Sequence, residues 1–386
     1  MEQGTIQILF ALLRSAVFGT RLSEEDKTFF YKTPLSELIT LSKKHDVTHL
    51  LAHGLKENGL IPQGDAETEK HIFKAIYRYE QINFEYGVLC SALEEAEIPF
   101  VVLKGSVLRR YYPQPWMRTS CDVDILVHNE DLERAISYLT DNLQYVKKER
   151  GTHDVSLYSP RGNHIEIHYD LVEEGRANNA LDVLNSVWEN VFLQDGSRYR
   201  YEMNDAFFYF YHIVHMAKHV ETGGCGIRPF IDLWILDGIE EEYQGSRDEL
   251  LSKCRLLQFA NAVRGLSRYW LGEGEADDLT LQVQKYILYG GTYGSTTNRV
   301  MLHQSEKGGR VGYLVSRIFV PYDKLRRYYP ILEKHRWLTP FMQVRRWFML
   351  FKPDVAKMAK QEIATNISSD KTQANEMNSF LNKIGL

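Results

Sequence analysis

The sequence LKGSVLRRYYPQPWMRTSCDVDILV, from Leu103 to Val127, contains the strongest structural signal in this chain. It begins at the end of a short apolar run, passes a Gly-Ser pair, and ends in an alternating segment that places Asp122 and Asp124 one residue apart. Aspartate is a poor strand residue, and burying one without a partner is costly. The pattern therefore predicts a strand whose two carboxylates have a cation close by.

Around this stretch the residues alternate as in β-strands, whereas the flanking residues repeat as in helices. IPFVVLKG is a short apolar run that ends in glycine, DVSLYS and HIEIHYDL alternate, and NEDLERAISYLTDNL has helical spacing. Before about Glu95 and beyond about Asn204, apolar residues recur every three or four positions. We predict an α+β protein with an N-terminal helical region (1–95), a small mixed-sheet domain (96–200) and a C-terminal helical domain (201–386).

The composition is that of a globular protein without a membrane segment. Apolar residues make up 44% of the 386 positions and charged residues 25%. The net charge of -5 argues against general nucleic-acid binding, although it permits a local basic patch. The four cysteines form no CxxC pair, and no apolar run approaches the roughly 18 residues that a membrane span needs. We therefore expect a cytoplasmic location.

Three carboxylates form the first candidate site. Asp122 and Asp124 share one face of their strand, and Glu166 lies on the face of HIEIHYD that also carries His164 and His168. Hard oxygen ligands at this spacing suit a pair of Mg²⁺ ions, which leave coordination positions for water and phosphate. The alternative is a pair of half-buried strands whose outer faces are merely solvated.

A Gly-Ser pair follows the first predicted strand. Gly105 permits close approach of a phosphate to the backbone, and the Ser106 hydroxyl with the neighbouring N–H groups would form an anion cradle. The alternative is an ordinary strand-to-helix turn in which serine caps the helix. The cradle and the carboxylates together are more specific than either motif alone.

Together these motifs resemble the nucleotidyltransferase superfamily that includes DNA polymerase beta and the antibiotic nucleotidyltransferases. The resemblance is closer to a bacterial family of uncharacterised nucleotidyltransferases, because MAKHV, GIRPFIDLWIL and FVPYDKLRRYYPILEKHRWL are also similar to segments of that family. It extends from about Ser36 to about Phe351. One feature departs from the wider superfamily: more residues separate Ser106 from Asp122 than in the small transferases, which leaves the substrate class open.

The resemblance implies that Asp122, Asp124 and Glu166 are catalytic and bind Mg²⁺, with Mn²⁺ as an alternative ion. The nucleotide-binding residues that we predict are Lys104, Gly105, Ser106, Arg118, Lys218, His219, Arg228 and Asp232. Arg118 and the Lys218-His219 pair match basic residues of the family, and the alternative role of Arg118 is an ion pair with a surface carboxylate.

The helical half offers three further motifs. His212, His215 and His219 fall on one helical stripe, which indicates either pocket-lining histidines or, less favourably, metal ligands. Arg228 and Asp232 are four residues apart at a helix start marked by Pro229, and they form either an ion pair or part of a pocket. The late basic residues, interleaved with aromatic ones, suit either polyanion binding or amphipathic helices. They are Lys324, Arg326, Arg327, Lys334, Arg336, Arg345 and Arg346.

The leading hypothesis is an Mg²⁺-dependent nucleotidyltransferase. An acceptor would attack the α-phosphorus of a nucleoside triphosphate, and pyrophosphate would leave. The acceptor stays open among a small molecule, a sugar or lipid-linked intermediate, a protein hydroxyl and an RNA end. The alternatives are a non-catalytic nucleotide-binding regulatory protein of the same fold and a metal-dependent hydrolase that uses His164, Glu166 and His168.

Overall fold

The computed structural model describes residues 3–151, 153–171, 177–239, 244–292, 294–306, 309–329, 331–349, 353–368 and 371–386. Five helices precede the sheet: α1 (Gln3–Phe18), α2 (Glu24–Lys32), α3 (Leu35–Lys44), α4 (Thr48–Glu57) and α5 (Ala66–Glu95). Ser23 begins α2 with a capping box, and the Asp65 side chain caps α5. Helix α4 crosses α1 at Gly54, where a Cβ atom would collide with the carbonyl oxygen of Leu12.

A mixed sheet forms the centre of the described structure. Its strands are β1 (Phe100–Val102), β2 (Asp122–Val127), β3 (Val146–Arg150), β4 (Asp154–Tyr158), β5 (His164–His168), β6 (Val191–Leu193) and β7 (Arg200–Met203). They are ordered β3-β4-β5-β2-β1-β7-β6. The central strands β2 and β5 are parallel, and β1 runs antiparallel to β2. Val123 and Ile125 of β2 are fully buried, so the other face of that strand carries Asp122 and Asp124.

Helices cover the sheet and build the C-terminal half. Those within the sheet region are α6 (Gly105–Leu108), α7 (Leu132–Leu143) and α8 (Leu181–Asn185). The C-terminal helices are α9 (Asp205–Glu221), α10 (Arg228–Asp237), α11 (Gln244–Lys253), α12 (Leu257–Leu271), α13 (Asp278–Gly290), α14 (Thr296–Glu306), α15 (Arg310–Ile318), α16 (Tyr322–Tyr328), α17 (Ile331–Lys334), α18 (Thr339–Phe348), α19 (Pro353–Ser368) and α20 (Lys371–Lys383). The stacked rings of Phe10 and Trp270 join the N-terminal helices to α12.

The predicted α+β class is confirmed: helical regions precede and follow one mixed sheet along the chain. Strands β1, β2, β4 and β5 and helix α7 lie where the alternation and the helical spacing predicted them. Strands β3, β6 and β7 were not predicted, and β7 extends the sheet to Met203. Among the helices described here, none combines the length and the apolar character that crossing a membrane requires.

Candidate functional site

The register between β2 and β5 brings three carboxylates together. Asp124 pairs directly with Glu166 across the two parallel strands. Ligand atoms of Asp122, His164 and Glu166 lie within 4.8 Å of one another, and so do those of Asp124, Glu166 and His168. Glu166 therefore belongs to both groups, and the three acids converge at one end of the paired strands.

Two basic side chains contact Asp124. Its Oδ1 lies 3.5 Å from Lys104 Nζ and 3.0 Å from His168 Nε2, and the same imidazole nitrogen is 3.4 Å from Glu166 Oε2. Burial favours the neutral acid, but Lys104 and His168 outweigh it and hold the pKa of Asp124 well below its ordinary value. Burial opposes protonation of His168, but its hydrogen bonds to both acids raise its pKa.

Asp122 has the opposite electrostatic environment. Burial, together with the negative charges of Asp124 and Glu166, raises the pKa of Asp122 to about 6. Lys104 and His164 compensate only part of this effect. A divalent cation between Asp122 and Glu166 would relieve the repulsion, so the donor set fits a metal. The three carboxylates suit Mg²⁺ or Mn²⁺, and the two imidazoles add nitrogen donors that transition metals also accept.

The turn after β1 aims Lys104 at these acids. The Leu103 N–H donates to the carbonyl oxygen of Asp124, 3.1 Å away, and so fixes the end of β1 against β2. Lys104 then takes a φ of 46°, a conformation that is strained for a residue with a side chain and that is found mostly where a site demands it. Burial lowers the pKa of Lys104, but the neighbouring Asp124 more than offsets this and raises it.

The Gly-Ser pair follows immediately. A Cβ atom at Gly105 would lie 3.3 Å from the Ser120 Cβ, so glycine permits a close approach of the turn to the residues before β2. The Oγ of Ser106 is buried and has no hydrogen-bond partner among the described residues. A buried hydroxyl without a partner is unusual in a native structure and suggests a ligand or water partner.

A cavity of about 360 Å³ lies between these strands and helices α9 and α10. Eight of the eleven predicted site residues line it: Lys104, Gly105, Arg118, Asp122, Asp124, His219, Arg228 and Asp232. Ser106, Glu166 and Lys218 are not among its lining residues. Burial and the charge of Lys104 lower the pKa of Lys218 to about 8, whereas the charge of Glu166 acts to raise it. Lys218 therefore interacts electrostatically with both groups.

The two predicted arginines are held by other residues of the protein. Arg118 Nε donates to both carboxylate oxygens of Asp232 at 2.8 and 3.0 Å, and the Tyr112 hydroxyl donates to Oδ1 at 2.7 Å. Asp232 is fully buried, so the predicted surface ion pair of Arg118 is instead an internal one. Arg228 lies 3.1 Å from the Asp46 carboxylate. Of the two alternatives for Arg228 and Asp232, the mutual ion pair is wrong, because each has a different partner. Both residues line the cavity, as the pocket alternative expected.

Histidines form the opposite wall of the cavity. Nε2 atoms of His215 and His219 lie 2.9 Å apart, and His212 Nε2 lies 3.0 Å from the Pro229 carbonyl oxygen. Burial lowers the pKa of all three, which makes them neutral near pH 7. The two groups of possible metal ligands in the described ranges include none of them. This arrangement agrees with the pocket-lining interpretation of the stripe.

Sequence reasoning missed two contributors to the site. His168 was placed on the face of Glu166, but its contact with Asp124 depends on a strand register that no local pattern reveals. His45, at the end of α3, also lines the cavity, and its buried Nδ1 has no hydrogen-bond partner among the described residues. A single histidine between two helices gives no sequence signal for this position.

Comparisons with known proteins give one family match. The model of a family described as uncharacterised nucleotidyltransferase matches residues 32–271, a range that includes every residue lining the cavity except Thr292. None of the curated proteins matches the chain. A similar solved structure is the solution structure of the antibiotic-resistance factor ANT(2'')-Ia, with 12% identity, 50% of this chain and 94% of that chain covered, and a TM-score of 0.27.

Proposed function

The chain belongs to the family of uncharacterised nucleotidyltransferases, and from this premise we propose that it transfers a nucleoside monophosphate from a nucleoside triphosphate to an acceptor, with release of pyrophosphate. The observation that supports this proposal most strongly is the convergence of Asp122, Asp124 and Glu166 beside a cavity. The proposed compartment is the cytoplasm, and the acceptor stays open among a small molecule, a sugar, a protein and an RNA end.

We propose that Asp122, Asp124 and Glu166 hold Mg²⁺ or Mn²⁺. Such an ion, when bound, activates the attacking hydroxyl and stabilises the leaving oxygen. Asp122 contributes a carboxylate whose charge the protein leaves partly uncompensated, whereas Lys104 and His168 keep Asp124 ionised and oriented. Glu166 lies in both groups of possible metal ligands, so its carboxylate would contribute to binding an ion in either group.

The remaining residues would bind and orient the triphosphate. Lys104 and Lys218 supply ammonium groups near the acids, and Ser106 supplies a hydroxyl that has no partner in the described structure. Arg118, Arg228 and Asp232 would shape the cavity wall, because their charges are satisfied inside the protein.

The histidine wall suits a different part of the substrate. His219 and His45 are neutral near pH 7, since burial lowers the pKa of each to about 4. Neutral imidazoles donate and accept hydrogen bonds without favouring an anion. The base or sugar of the nucleotide is therefore the group that we place against this wall.

One observation favours a second candidate, a non-catalytic nucleotide-binding protein. Lys104 and His168 already contact the Asp124 carboxylate, so the strands tolerate this acid without any metal. The hydrolase alternative gains no such support, because His164 and His168 fall in separate ligand groups and each group includes an aspartate.

The test is pyrophosphate release from each nucleoside triphosphate with Mg²⁺ or Mn²⁺ across a panel of acceptors. Asp122→Asn removes a metal ligand with little change in shape, and we expect the rate to fall by about a thousandfold. Asp141→Asn, an exposed aspartate of α7, serves as the matched control and should keep full activity. Calorimetric nucleotide binding without turnover for any acceptor would favour the binding protein. Activity that survives Asp122→Asn would contradict the metal assignment.

A further inference from the structure

Helix α15 is oriented with its apolar face toward solvent. Val311, Val315 and Ile318 lie on one helical face and are exposed, Val311 by 75%. Tyr313, on the opposite face, is buried. Surface helices of globular proteins normally show the reverse arrangement, with the apolar face packed on the core.

Helix α18 repeats this arrangement. Phe341 and Val344 are exposed on one face, whereas Gln343 is buried and its amide donates to the Val320 carbonyl oxygen at 2.5 Å. Trp337, in the turn before α18, is 69% exposed and contacts the edge of the Phe341 ring at a centroid distance of 6.2 Å. The inward face of α18 is thus polar and the outward face is apolar.

The two helices contact each other, so their apolar faces belong to one region of the surface. Trp347 Nε1 donates to the Ile318 carbonyl oxygen at 2.9 Å, and the Phe319 and Trp347 rings meet edge to face. Of the 25 large apolar side chains that are exposed in the described ranges, 11 lie between positions 311 and 349. Exposed apolar surface is therefore concentrated in residues 309–349, here named the amphipathic segment, which lies beyond the family match.

The amphipathic segment is also strongly basic. Nine Lys and Arg against two Asp and Glu give it a charge of +7, whereas the whole chain carries -5. Lys324, Arg326, Lys334, Arg336 and Arg345 are exposed. The side chain of Arg327, from the predicted basic cluster, lies outside the described residues.

We propose that the amphipathic segment docks on an anionic lipid bilayer. Helices with Val, Ile, Phe and Trp on one face and Lys and Arg beside it lie in the membrane interface, with the apolar face among acyl chains and the cations at lipid phosphates. A nucleic acid would engage the arginines and aromatic rings but not exposed valines and isoleucines. The excess of positive charge favours an anionic surface over an uncharged protein groove. This inference does not depend on the proposed transferase activity.

The test is cosedimentation of the full chain with vesicles of phosphatidylcholine alone or of an equal mixture of phosphatidylcholine and phosphatidylglycerol. We expect partition into the mixed vesicles to exceed partition into the neutral ones by at least about tenfold and to weaken as salt rises, since each basic residue near an anionic surface adds about fivefold.

Two double variants separate the apolar contribution from a general loss of surface hydrophobicity. Val315→Ser with Phe341→Ser removes one exposed apolar side chain from each helix and should lower partition by about tenfold or more. The matched control, Val146→Ser with Phe73→Ser, removes residues of the same type and similar exposure on β3 and α5, and should leave partition unchanged. Circular dichroism checks that both variants stay folded.

Three outcomes would overturn the proposal. One is the absence of sedimentation with either vesicle. Another is an equal effect of the two double variants on partition. The third is a dimer that light scattering detects without lipid and that the double variant Val315→Ser with Phe341→Ser dissociates, while the wild-type protein does not bind vesicles. The surface would then be a protein interface.

Discussion

Two clusters of charged residues lie at the cavity, and they differ in how their charges are balanced. The first cluster consists of three acids that lie close together: Asp122, Asp124 and Glu166. The pKa of Asp122 is raised to about 6, because burial and the two other carboxylates outweigh the positive charges nearby. Arg118 and Asp232 form an ion pair that the Tyr112 hydroxyl completes. The first cluster holds charge that a ligand can stabilise, whereas the charges of the second are satisfied within the protein.

This difference separates stability from binding within one pocket. A substitution in the paired cluster should reduce the free energy of unfolding, because it leaves a buried charge alone. A substitution in the acid cluster should change ligand binding or catalysis and leave the metal-free protein equally or more stable, as is common for functional sites.

The largest stability effect is expected in the paired cluster. Asp232→Asn leaves Arg118 mostly buried without its carboxylate, and we expect the free energy of unfolding to fall by about 3–5 kcal/mol. Denaturant unfolding monitored by circular dichroism measures this change. Replacing both partners, as Arg118→Met with Asp232→Leu, should recover part of the loss because no buried charge is left alone.

A surface ion pair provides the control for this prediction. Arg150 and Glu133 are paired at 2.7 Å, but both side chains are about half exposed or more. Glu133→Gln should therefore cost no more than about 0.5 kcal/mol. If Asp232→Asn proves as mild as Glu133→Gln, the Arg118 pair does not stabilise the cavity wall.

A substitution in the acid cluster should change the free energy of unfolding by a smaller amount and should increase it. The pKa of Asp122 rises from its ordinary 3.8 to about 6 on folding, so the folded protein disfavours the ionised form. The metal-free protein therefore loses stability as the pH rises through this interval, and the loss is complete above about pH 6. Asp122→Asn, measured with a chelator, should stabilise the protein by about 1–2 kcal/mol at about pH 8, since the side chain keeps some solvent contact.

The pH dependence of the stability gain distinguishes relief of charge repulsion at Asp122 from a general stabilisation by asparagine. Near about pH 4 the wild-type Asp122 is protonated when folded, so the gain in stability should nearly disappear. Exposed Asp141→Asn should show no such pH-dependent gain. A stabilisation by Asp122→Asn that is the same at both pH values would mean that repulsion among the acids is not its cause.

The sequence predicted the elements that carry a strong periodic signal. Strands β2 and β5 alternate between apolar and polar residues, and β1 lies within a short apolar run that is followed by Gly105. Strand β3 reads VKKER and is exposed throughout, so it has no alternation to detect. Strands β6 and β7 have three and four residues, too few for a periodic pattern, and pairing with the sheet rather than local sequence defines them.

Prediction of the candidate site was likewise limited to residues that a local pattern groups together. Residues that share a strand, such as Asp122 and Asp124, were grouped from the period of two alone. The contacts of Asp124 with His168, of Arg118 with Asp232 and of Arg228 with Asp46 join segments far apart in the chain. Such pairs depend on strand register and helix packing, which a single sequence does not encode in local spacing. The functional roles of the residues stay predictions.

The smallest effect is expected for Ser106→Ala, which tests an unpaired hydroxyl next to the cavity-lining Gly105 against a paired hydroxyl elsewhere. Ser106 Oγ has no hydrogen-bond partner in the described ranges, whereas the fully buried Ser267 Oγ donates to the Phe230 carbonyl oxygen at 2.8 Å. Ser106→Ala should leave the free energy of unfolding within about 0.5 kcal/mol of wild type, while KM for the triphosphate rises about fivefold. Ser267→Ala should show the reverse, with about 1 kcal/mol lost and KM unchanged.

The pair of serine variants tests whether an unsatisfied group marks the binding side of the cavity. A contact with phosphate exists only in the complex, so removing it affects affinity and not folding. Lys104, not Ser106, is the N-cap of α6, and no side chain caps this helix, so the capping alternative for Ser106 is wrong. Should Ser106→Ala destabilise the protein and leave KM unchanged, the hydroxyl contributes to folding and not to binding of the triphosphate. The hydroxyl would then contribute to stability, as Asp232 does, and Lys104 and Lys218 would remain the proposed phosphate contacts.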